Sequence, residues 1–255
     1  MNIVLSYSNE YAVITLTRPD ALNALSFSII RELEDVIDEV ASSKAKALIV
    51  TGAGDKAFCA GADIKELMGR SIQDQKSGAE LGQKVFHKLS QLPMPSIAVV
   101  NGFAFGGGLE LALACTFRLA TPNARMGLPE IKLGLIPGYG GTQRLPRIIG
   151  ESRAMELIMT GRAVKPEEAE RLGLVNRLVD GDPVEAGKVF ASEFSGFGAL
   201  ALGYAREAVQ RALDLPVSEG LKVEADLSTL AFQTEDAAEG MAAFVDKRTP
   251  TFKDR

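Results

Sequence analysis

Two glutamates with apolar, glycine-rich neighbours are the residues of this 255-residue chain whose types and spacing could do chemistry. Glu110 follows three consecutive glycines in NGFAFGGGLELALAC, and Glu130 precedes the segment IKLGLIPGYGGTQRL. An unpaired charge is costly to bury, so a carboxylate in an apolar helix is either solvated or needed there. Two carboxyl groups can divide acid and base work when their surroundings separate their pKa values. The pattern therefore indicates proton transfer by Glu110 and Glu130.

The glycines before Glu110 indicate a second component of such a site. A strand is predicted before Gly106, Gly107 and Gly108, and a helix after them. The first N–H groups of a helix lack internal acceptors, and its positive end favours an anion or a developing oxyanion. The small-residue loop KAFCAGADIKEL could place a second N–H group opposite Gly107. Two converging N–H groups would form an oxyanion hole.

Each segment also has a simpler interpretation. The glycines could form a tight turn with Glu110 solvated in the first helical turn, although the apolar LELALAC segment favours burial. Dinucleotide binding is disfavoured because the third glycine of G-x-G-x-x-G would fall at Leu111 and Glu110 would repel a pyrophosphate. No G-K-[ST] follows, so a P-loop is excluded. The AGAD segment could be a tight loop before a helix that Asp63 caps, and Glu130 could be a surface residue.

The composition limits the class of protein. Hydrophobic residues form 46% and charged residues 24% of the chain, which is ordinary for a globular protein with a large core. A formal net charge of −5 without a basic run disfavours nucleic-acid binding. No apolar run is long enough to span a membrane, and the N-terminus lacks the pattern of a secretory or transit signal. Two cysteines, Cys59 and Cys115, are typical of a reducing compartment, so we expect a cytoplasmic protein.

The elements that position these residues are mainly strands in the first half and helices in the second. Hydrophobic periodicity predicts strands at 2–8, 11–17, 46–52, 96–102, 117–120 and 125–127, with a loop at 52–63. It predicts helices at 28–41, 63–70, 77–91, 108–115, from about 141, and at 151–160, 166–171, 183–194, 199–213, 217–231 and 235–246. The segment SGFG favours a boundary between a mixed α/β core, residues 1–195, and a helical region, residues 196–255.

Taken together, AFCAGADIKEL, NGFAFGGGLELALACTFRLA and PEIKLGLIPGYGGTQRLPRIIG resemble the crotonase superfamily, and most of all its enoyl-CoA hydratases. RPDALNAL near the start and EGMAAFVDKRTPTFKD near the end fit as well, so the resemblance spans nearly the whole chain. It implies an α/β fold, a crotonase-type spiral of ββα turns, with a helical C-terminal region for assembly. It also implies an acyl-CoA thioester substrate and a homo-oligomer, either a trimer or a dimer of trimers.

The resemblance also assigns roles to residues. The N–H groups of Ala60 and Gly107 would form the oxyanion hole for the thioester oxygen. Glu110 would activate water and Glu130 would protonate C2, which gives reversible hydration of trans-2-enoyl-CoA to 3-hydroxyacyl-CoA. Phe244 and Lys247 match positions that approach CoA from a neighbouring subunit. The other positions that the resemblance places against the substrate are Gly61, Ala62, Asp63, Ile64 and Gly138.

No resident cofactor or metal is expected, because coenzyme A is part of the substrate and no His/Cys cluster has ligand spacing. The single histidine, His87, is expected to be structural or solvated. Asp20 stands where some hydratases carry a lysine near CoA, so that contact is not expected here. Tyr139 is expected to line either the acyl pocket or the water site. The segment 65–88 is expected to shape the acyl pocket, and the chain length of the substrate stays open.

Three hypotheses follow for the function. The first is an enoyl-CoA hydratase. The second is a double-bond isomerase or another acyl-CoA enzyme of the same fold, which would need Glu130 but not Glu110. The third is a non-catalytic CoA-binding or scaffold protein, against which the glutamate pair argues because a binder needs neither group.

Overall fold

The computed structural model describes residues 2–255, which form two compact units. The first unit ends at Val189, and the second runs from Phe190 to Arg255. The boundary that the sequence favours, after residue 195, lies six residues further on (195 − 189). The division of roles between a core at 1–195 and an assembly region at 196–255 stays a prediction. Within the described chain, no helix combines the length and the apolar character needed to cross a bilayer.

Two β-sheets organise the first unit. The larger sheet has the strand order β1-β2-β3-β5-β7-β9, in which β1 and β2 pair antiparallel and the other neighbours pair parallel. The smaller sheet has the order β4-β6-β8 and is parallel. The strands are β1 (Ile3–Ser8), β2 (Tyr11–Leu16), β3 (Ala47–Gly52), β4 (Ala57–Cys59), β5 (Ser96–Val100), β6 (Phe103–Phe105), β7 (Phe117–Ala120), β8 (Arg125–Gly127) and β9 (Arg177–Leu178).

The chain winds as a spiral between these sheets. Each of the pairs β3–β4, β5–β6 and β7–β8 contributes one strand to the larger sheet and one to the smaller, and a helix follows each pair. The predicted spiral of ββα turns is therefore confirmed. The helices are α1 (Phe27–Ala41), α2 (Ile64–Leu67), α3 (Ile72–Ser90), α4 (Gly107–Ala114), α5 (Gly141–Ile149), α6 (Glu151–Thr160), α7 (Pro166–Leu172), α8 (Pro183–Ser192), α9 (Ala199–Arg211), α10 (Val217–Phe232) and α11 (Glu235–Val245).

Apolar side chains on strands and helix faces fill the core of the first unit. All residues of β3 are buried, as expected for an inner strand of a parallel sheet. Helix α1 begins directly after Ser26, whose hydroxyl accepts the N–H of Ile29 at 3.2 Å and so caps the helix. The apolar side chains that recur along α1 form its buried face, as the sequence predicts. They are Ile29, Ile30, Leu33, Ile37 and Val40.

Two buried asparagines hold together the strand ends that lead into the small-residue segments. Asn101 follows β5, and its side-chain amide donates to the carbonyls of Gly52 at 2.7 Å and Gly54 at 2.9 Å. Asn23 donates to the carbonyl of Ala57 at 2.8 Å, at the start of β4. Buried polar groups are costly unless they are bonded, so these contacts fix where β3, β4 and β5 lie relative to one another.

Several boundaries differ from the sequence prediction for physical reasons. Helix α3 begins at Ile72 rather than at residue 77, because Ser71 caps a first turn whose exposed side chains show no apolar period. The helix expected at 63–70 covers only Ile64–Leu67. The segment 52–63 is not entirely loop, since it contains β4, and β6 and β9 were not predicted. Strands this short carry too few side chains for a period of two to be visible.

The second unit is helical, as the sequence predicts, and its last residues fold back onto α11. Asp236 in the first turn of α11 is buried, and its carboxylate accepts the backbone N–H groups of Lys253 at 2.6 Å and Asp254 at 2.8 Å. Large apolar side chains of α10 remain more than half exposed, among them Leu221 and Phe232.

Candidate active site

Glu110 lies in the first turn of α4, a helix in which every residue is buried. The residue is only 1% exposed. Its Oε1 atom accepts the backbone N–H groups of Tyr139 at 2.8 Å and Gly141 at 2.7 Å. Among the described residues, its Oε2 atom has no hydrogen-bond partner. The interpretation of Glu110 as a solvated residue is therefore wrong, and one carboxylate oxygen remains available to a ligand.

Burial raises the pKa of Glu110 to about 7, from an ordinary value of 4.5. The negative charge of Glu130 raises this pKa further, whereas the two backbone hydrogen bonds and the charge of Arg144 lower it. A carboxyl group with a pKa near neutrality can both accept and donate a proton under physiological conditions.

Glu130 lies in a short 3-10 helix, Pro129–Leu133, that follows β8. Its Oε2 atom is buried and has no hydrogen-bond partner within residues 2–255. Burial raises the pKa of Glu130 as well. A Cβ atom built on Gly106 would lie 3.0 Å from its Oε1 atom, which places the carboxylate against the turn before α4. The structure thus brings together the two glutamates that the sequence singles out.

The turn before Glu110 requires glycines, because neighbouring atoms lie too close to its backbone for side chains and because one residue has a positive φ. Gly106 has a φ of +51°, a conformation that residues with side chains rarely adopt. A Cβ atom on Gly108 would overlap the carbonyl oxygen of Cys59 and lie 2.7 Å from its carbonyl carbon. Gly107 is the first residue of α4, and its N–H has no acceptor in the part of the chain that the structure describes. This N–H is therefore free to donate a hydrogen bond to a ligand.

The N–H of Ala60, which was expected to form the other half of an oxyanion hole, is already bonded. It donates to the carbonyl of Leu22 at 2.9 Å, so the prediction for Ala60 is wrong. The residues that follow pair with the segment around Leu25 as a short parallel bridge. In this bridge the N–H of Leu25 donates to the carbonyl of Gly61 at 2.7 Å, and the N–H of Asp63 donates to the carbonyl of Leu25 at 2.8 Å.

Ala62 supplies the free N–H instead. Because its two chain neighbours bond to Leu25, the N–H of Ala62 points to the opposite side of the segment. No described residue accepts a hydrogen bond from it. The nitrogen would lie 3.5 Å from a Cβ atom built on Gly107, so the two N–H groups are neighbours. Ala62 and Gly107 are therefore the pair that can receive an oxyanion; the sequence identified Ala62 only as a substrate contact.

Two further side chains complete the site. Arg144 on α5 was not predicted; its Nη1 atom donates to the carbonyl of Tyr139 at 3.0 Å, and its charge lowers the pKa of Glu110. The need of a buried carboxylate for a nearby cation is the one feature of the sequence that could have indicated it. Tyr139 is 7% exposed, and its ring packs edge-on against Phe86 with 5.7 Å between centroids. The ring is therefore a fixed wall rather than a mobile side chain.

The other predicted contact residues lie on the segments around this pair. The carboxylate of Asp63 caps α2 and forms an ion pair with Arg18 at 3.0 Å, which is a structural role. Ile64, the first residue of α2, is 47% exposed. The carbonyl of Gly138 accepts a hydrogen bond from the side-chain amide of Gln83 at 2.9 Å. Whether these residues touch a substrate stays a prediction.

Phe244 and Lys247 lie in the second unit and are exposed, so their expected contact with CoA in a neighbouring subunit also stays a prediction. His87 is exposed on α3. Cys59 and Cys115 are buried thiols, and burial raises the pKa of each to about 12. Within residues 2–255, no group of three or more His, Cys, Asp or Glu side chains is arranged to hold a metal ion.

The arrangement defines the class of protein. Two carboxyl groups with raised pKa values lie beside two free backbone N–H groups, among glycines and buried apolar side chains. Such a site can transfer protons to and from a substrate while it stabilises an oxyanion formed from a carbonyl group. The sequence profile of the enoyl-CoA hydratase/isomerase family matches residues 7–255, and the chain belongs to this family.

Individual relatives agree with this assignment over nearly the whole chain. A crotonyl-CoA hydratase of Syntrophomonas wolfei is 41% identical, covering 98% of this chain and 97% of its own. A short-chain-enoyl-CoA hydratase of Clostridium acetobutylicum is 41% identical, covering 97% of this chain and 95% of its own. The crystal structure of an enoyl-CoA hydratase from Bacillus anthracis superposes with a TM-score of 0.95 at 39% identity, and each chain is covered completely.

Proposed function

We propose that this protein is an enoyl-CoA hydratase, a hydro-lyase that adds water reversibly across the C2–C3 double bond of trans-2-enoyl-CoA. The observation that carries the proposal is the pair Glu110 and Glu130, a buried and a half-buried carboxyl group whose pKa values are both raised and which lie beside two free N–H groups. The relatives named as crotonyl-CoA and short-chain-enoyl-CoA hydratases support the same reaction.

The N–H groups of Ala62 and Gly107 would bind the thioester carbonyl oxygen. Both donors lack acceptors in the described chain, and Gly107 lies at the positive end of α4. As charge develops on this oxygen, these hydrogen bonds strengthen, and C3 becomes electrophilic. Removal of one such donor typically lowers kcat by a factor of about 10² to 10³.

The glutamate pair would then supply the proton transfers, with one proton shared between the two carboxyl groups. In hydration, ionised Glu110 takes a proton from water through its unoccupied Oε2 while the water oxygen bonds to C3. The electrons of the double bond move to the thioester as an enolate, and protonated Glu130 gives its proton to C2. The proton that Glu110 has taken then passes to Glu130, which restores the starting state, so the net change is the addition of one water molecule. Dehydration runs the same steps in reverse with the roles exchanged. These steps use only water and side chains of this protein, and coenzyme A is part of the substrate.

A double-bond isomerase is the main competing function, since the family profile includes isomerases. Isomerisation needs one carboxyl group to move a proton between carbons and no activated water. The hydrogen bonds that Tyr139 and Gly141 donate to Glu110 favour hydration, because they orient a second carboxylate for which an isomerase has no use. The same observation disfavours a protein that only binds CoA.

The direct test is to incubate the wild-type protein with crotonyl-CoA and, separately, with trans-3-hexenoyl-CoA, and to identify the products by mass spectrometry. The proposal expects 3-hydroxybutyryl-CoA from the first substrate, with loss of the enoyl-thioester absorbance. Isomerisation of trans-3-hexenoyl-CoA without hydration of crotonyl-CoA would show that the protein is an isomerase and not a hydratase. Binding of both without turnover would favour a CoA-binding protein.

Assembly and cellular location belong to the same proposal. Exposed apolar side chains of α10, together with Phe244, which is 85% exposed, support burial between subunits in a trimer or a dimer of trimers. Phe244 and Lys247 would then contact CoA bound to a neighbouring subunit. Light scattering gives the number of subunits, and Lys247→Ala should raise KM without changing kcat if the contact exists. The bacterial relatives support a cytoplasmic location.

A further inference from the structure

The ring of Tyr139 fills the space between α3 and the start of α4. A Cβ atom built on Gly82 of α3 would lie 2.6 Å from Cγ and 2.7 Å from Cε1 of this ring. A Cβ atom built on Gly107 would lie 3.1 Å from Cδ2 and 3.2 Å from Cε2, on the other edge. Both edges of the ring thus pack against glycines, and no gap remains between the ring and the two helices at this level.

The ring of Tyr139 is held in place by an aromatic contact and by the hydrogen bonds of the residue's backbone. Phe86 of α3 is fully buried and meets the ring edge-on, with 85° between the two planes. The N–H of Tyr139 donates to Glu110 at 2.8 Å, and its carbonyl accepts from Arg144 at 3.0 Å. Because the side chain has a tight apolar backing and a fixed backbone, the ring cannot move aside to admit a longer ligand without disturbing the core.

The position of the ring relative to the reacting atoms gives it a role in substrate selection. The thioester oxygen of the substrate would bind at the N–H of Gly107, and the ring touches that glycine. The water that attacks C3 would lie at Glu110, which is bonded to the backbone of Tyr139. The carbon atoms beyond C3 would therefore meet the ring.

We propose that Tyr139 closes the acyl pocket a short distance beyond C3, so that the protein is selective for short-chain acyl groups. This inference rests on the proposed function, because it takes the acyl group to lie between Gly107 and Glu110. The alternative is an acyl chain that lies against Ile64 and Met68, on and directly after α2, which are 47% and 75% exposed. Such a chain would meet solvent-exposed side chains and would not be limited by Tyr139.

Calorimetric titration with saturated acyl-CoAs tests the inference without turnover. Each methylene that enters an apolar pocket strengthens binding by about fourfold, so a pocket that accepted octanoyl-CoA would bind it more than about a hundredfold tighter than butyryl-CoA. We expect the wild-type protein to bind octanoyl-CoA no tighter than butyryl-CoA. Tyr139→Ala should bind octanoyl-CoA at least about tenfold tighter than butyryl-CoA, and Tyr139→Phe, which keeps the ring, should retain the wild-type ratio.

Two results would overturn the inference: a wild-type protein that binds octanoyl-CoA at least tenfold tighter than butyryl-CoA, or a folded Tyr139→Ala variant with the wild-type ratio. If Tyr139→Ala fails to fold, Tyr139→Leu keeps an apolar side chain but removes the ring, and the same ratio is measured. The hydratase proposal is tested separately by crotonyl-CoA turnover. Selective binding of butyryl-CoA without hydration would retain the role of Tyr139 and reject the hydratase.

Discussion

Gly141, the first residue of α5, donates its backbone N–H to Oε1 of Glu110 at 2.7 Å. The positive end of a second helix therefore points at the carboxylate and opposes the effect of burial. The bond also leaves Oε2 as the oxygen without a partner among the described residues. Burial, partly offset by these hydrogen bonds, gives Glu110 a pKa of about 7, and the hydrogen bonds fix its orientation. A group that exchanges a proton with water requires both properties.

The pH dependence of the rate should reflect the single proton that the glutamate pair must hold. Burial raises the pKa of Glu110 to about 7, so the last proton of the pair is lost as the pH rises through that value. We expect kcat/KM for crotonyl-CoA to fall as the pH rises through about 7, and to fall again in acid when both carboxyl groups are protonated. Steady-state kinetics from about pH 5 to pH 9 measures both limbs. A rate that keeps rising above neutrality would contradict the shared proton.

Glu110 should also make folding stability depend on pH. The unfolded chain loses this proton near 4.5 and the folded chain near 7, so the group favours folding below 4.5 and loses that contribution as the pH rises through about 7. The difference corresponds to roughly 3 kcal/mol in the free energy of unfolding. Denaturant unfolding of wild type and Glu110→Gln at several pH values should show a difference that changes over this window. A difference that is constant with pH would be contrary to a raised pKa.

Arg144 should act on the rate through the pKa of Glu110. Its charge lowers that pKa, so Arg144→Gln should move the high-pH limb of kcat/KM to higher pH, whereas Arg144→Lys should leave the limb close to the wild-type position. Both variants disturb the hydrogen bond to the carbonyl of Tyr139, which makes them a matched pair. If both lowered kcat and neither moved the limb, Arg144 would have a structural role alone.

Gly108 should be intolerant of even one methyl group. A Cβ atom there meets the backbone carbonyl of Cys59, which cannot move without shifting β4. We expect Gly108→Ala to destabilise the protein by about 1 to 3 kcal/mol, the usual range for overpacking. Gly220 in α10 is the matched control, because no heavy atom lies within 4 Å of its Cβ position, and Gly220→Ala should stabilise by about 0.5 to 1 kcal/mol. If urea unfolding gave the same change in the free energy of unfolding for Gly108→Ala and Gly220→Ala, close packing would not be the reason for glycine at position 108.

The burial of Glu110 could be predicted from the sequence, whereas the choice between Ala60 and Ala62 could not. An apolar helix with one carboxylate places that carboxylate in the interior whatever lies around it. Which N–H of AGAD is free depends on the bridge between Leu25 and Ala62, a long-range pairing that local sequence does not encode. A shift of one residue along an extended segment turns each N–H to the other side.

The strands of the larger sheet other than β9, and most helices, were predictable because their buried faces repeat over several residues. The short strands β4 and β6 were not, although they carry the segments that form the site. The position of Tyr139 between two helices likewise depends on Gly82, which is 57 residues earlier in the chain (139 − 82). The local scaffold of the site was thus accessible from periodicity, while the contacts that complete it come from tertiary packing.

The measurement that tests the central claim most directly is the hydration of crotonyl-CoA, followed at the enoyl-thioester absorbance, by wild type, Glu110→Gln and Glu130→Gln. Glu39→Gln, which removes an exposed carboxylate from α1, is the control. If both glutamates transfer protons, each of the first two variants should lose roughly 10²-fold or more in kcat, while the control keeps wild-type activity. Near-normal hydration by Glu110→Gln would show that water is not activated by Glu110 and would contradict the two-carboxylate mechanism.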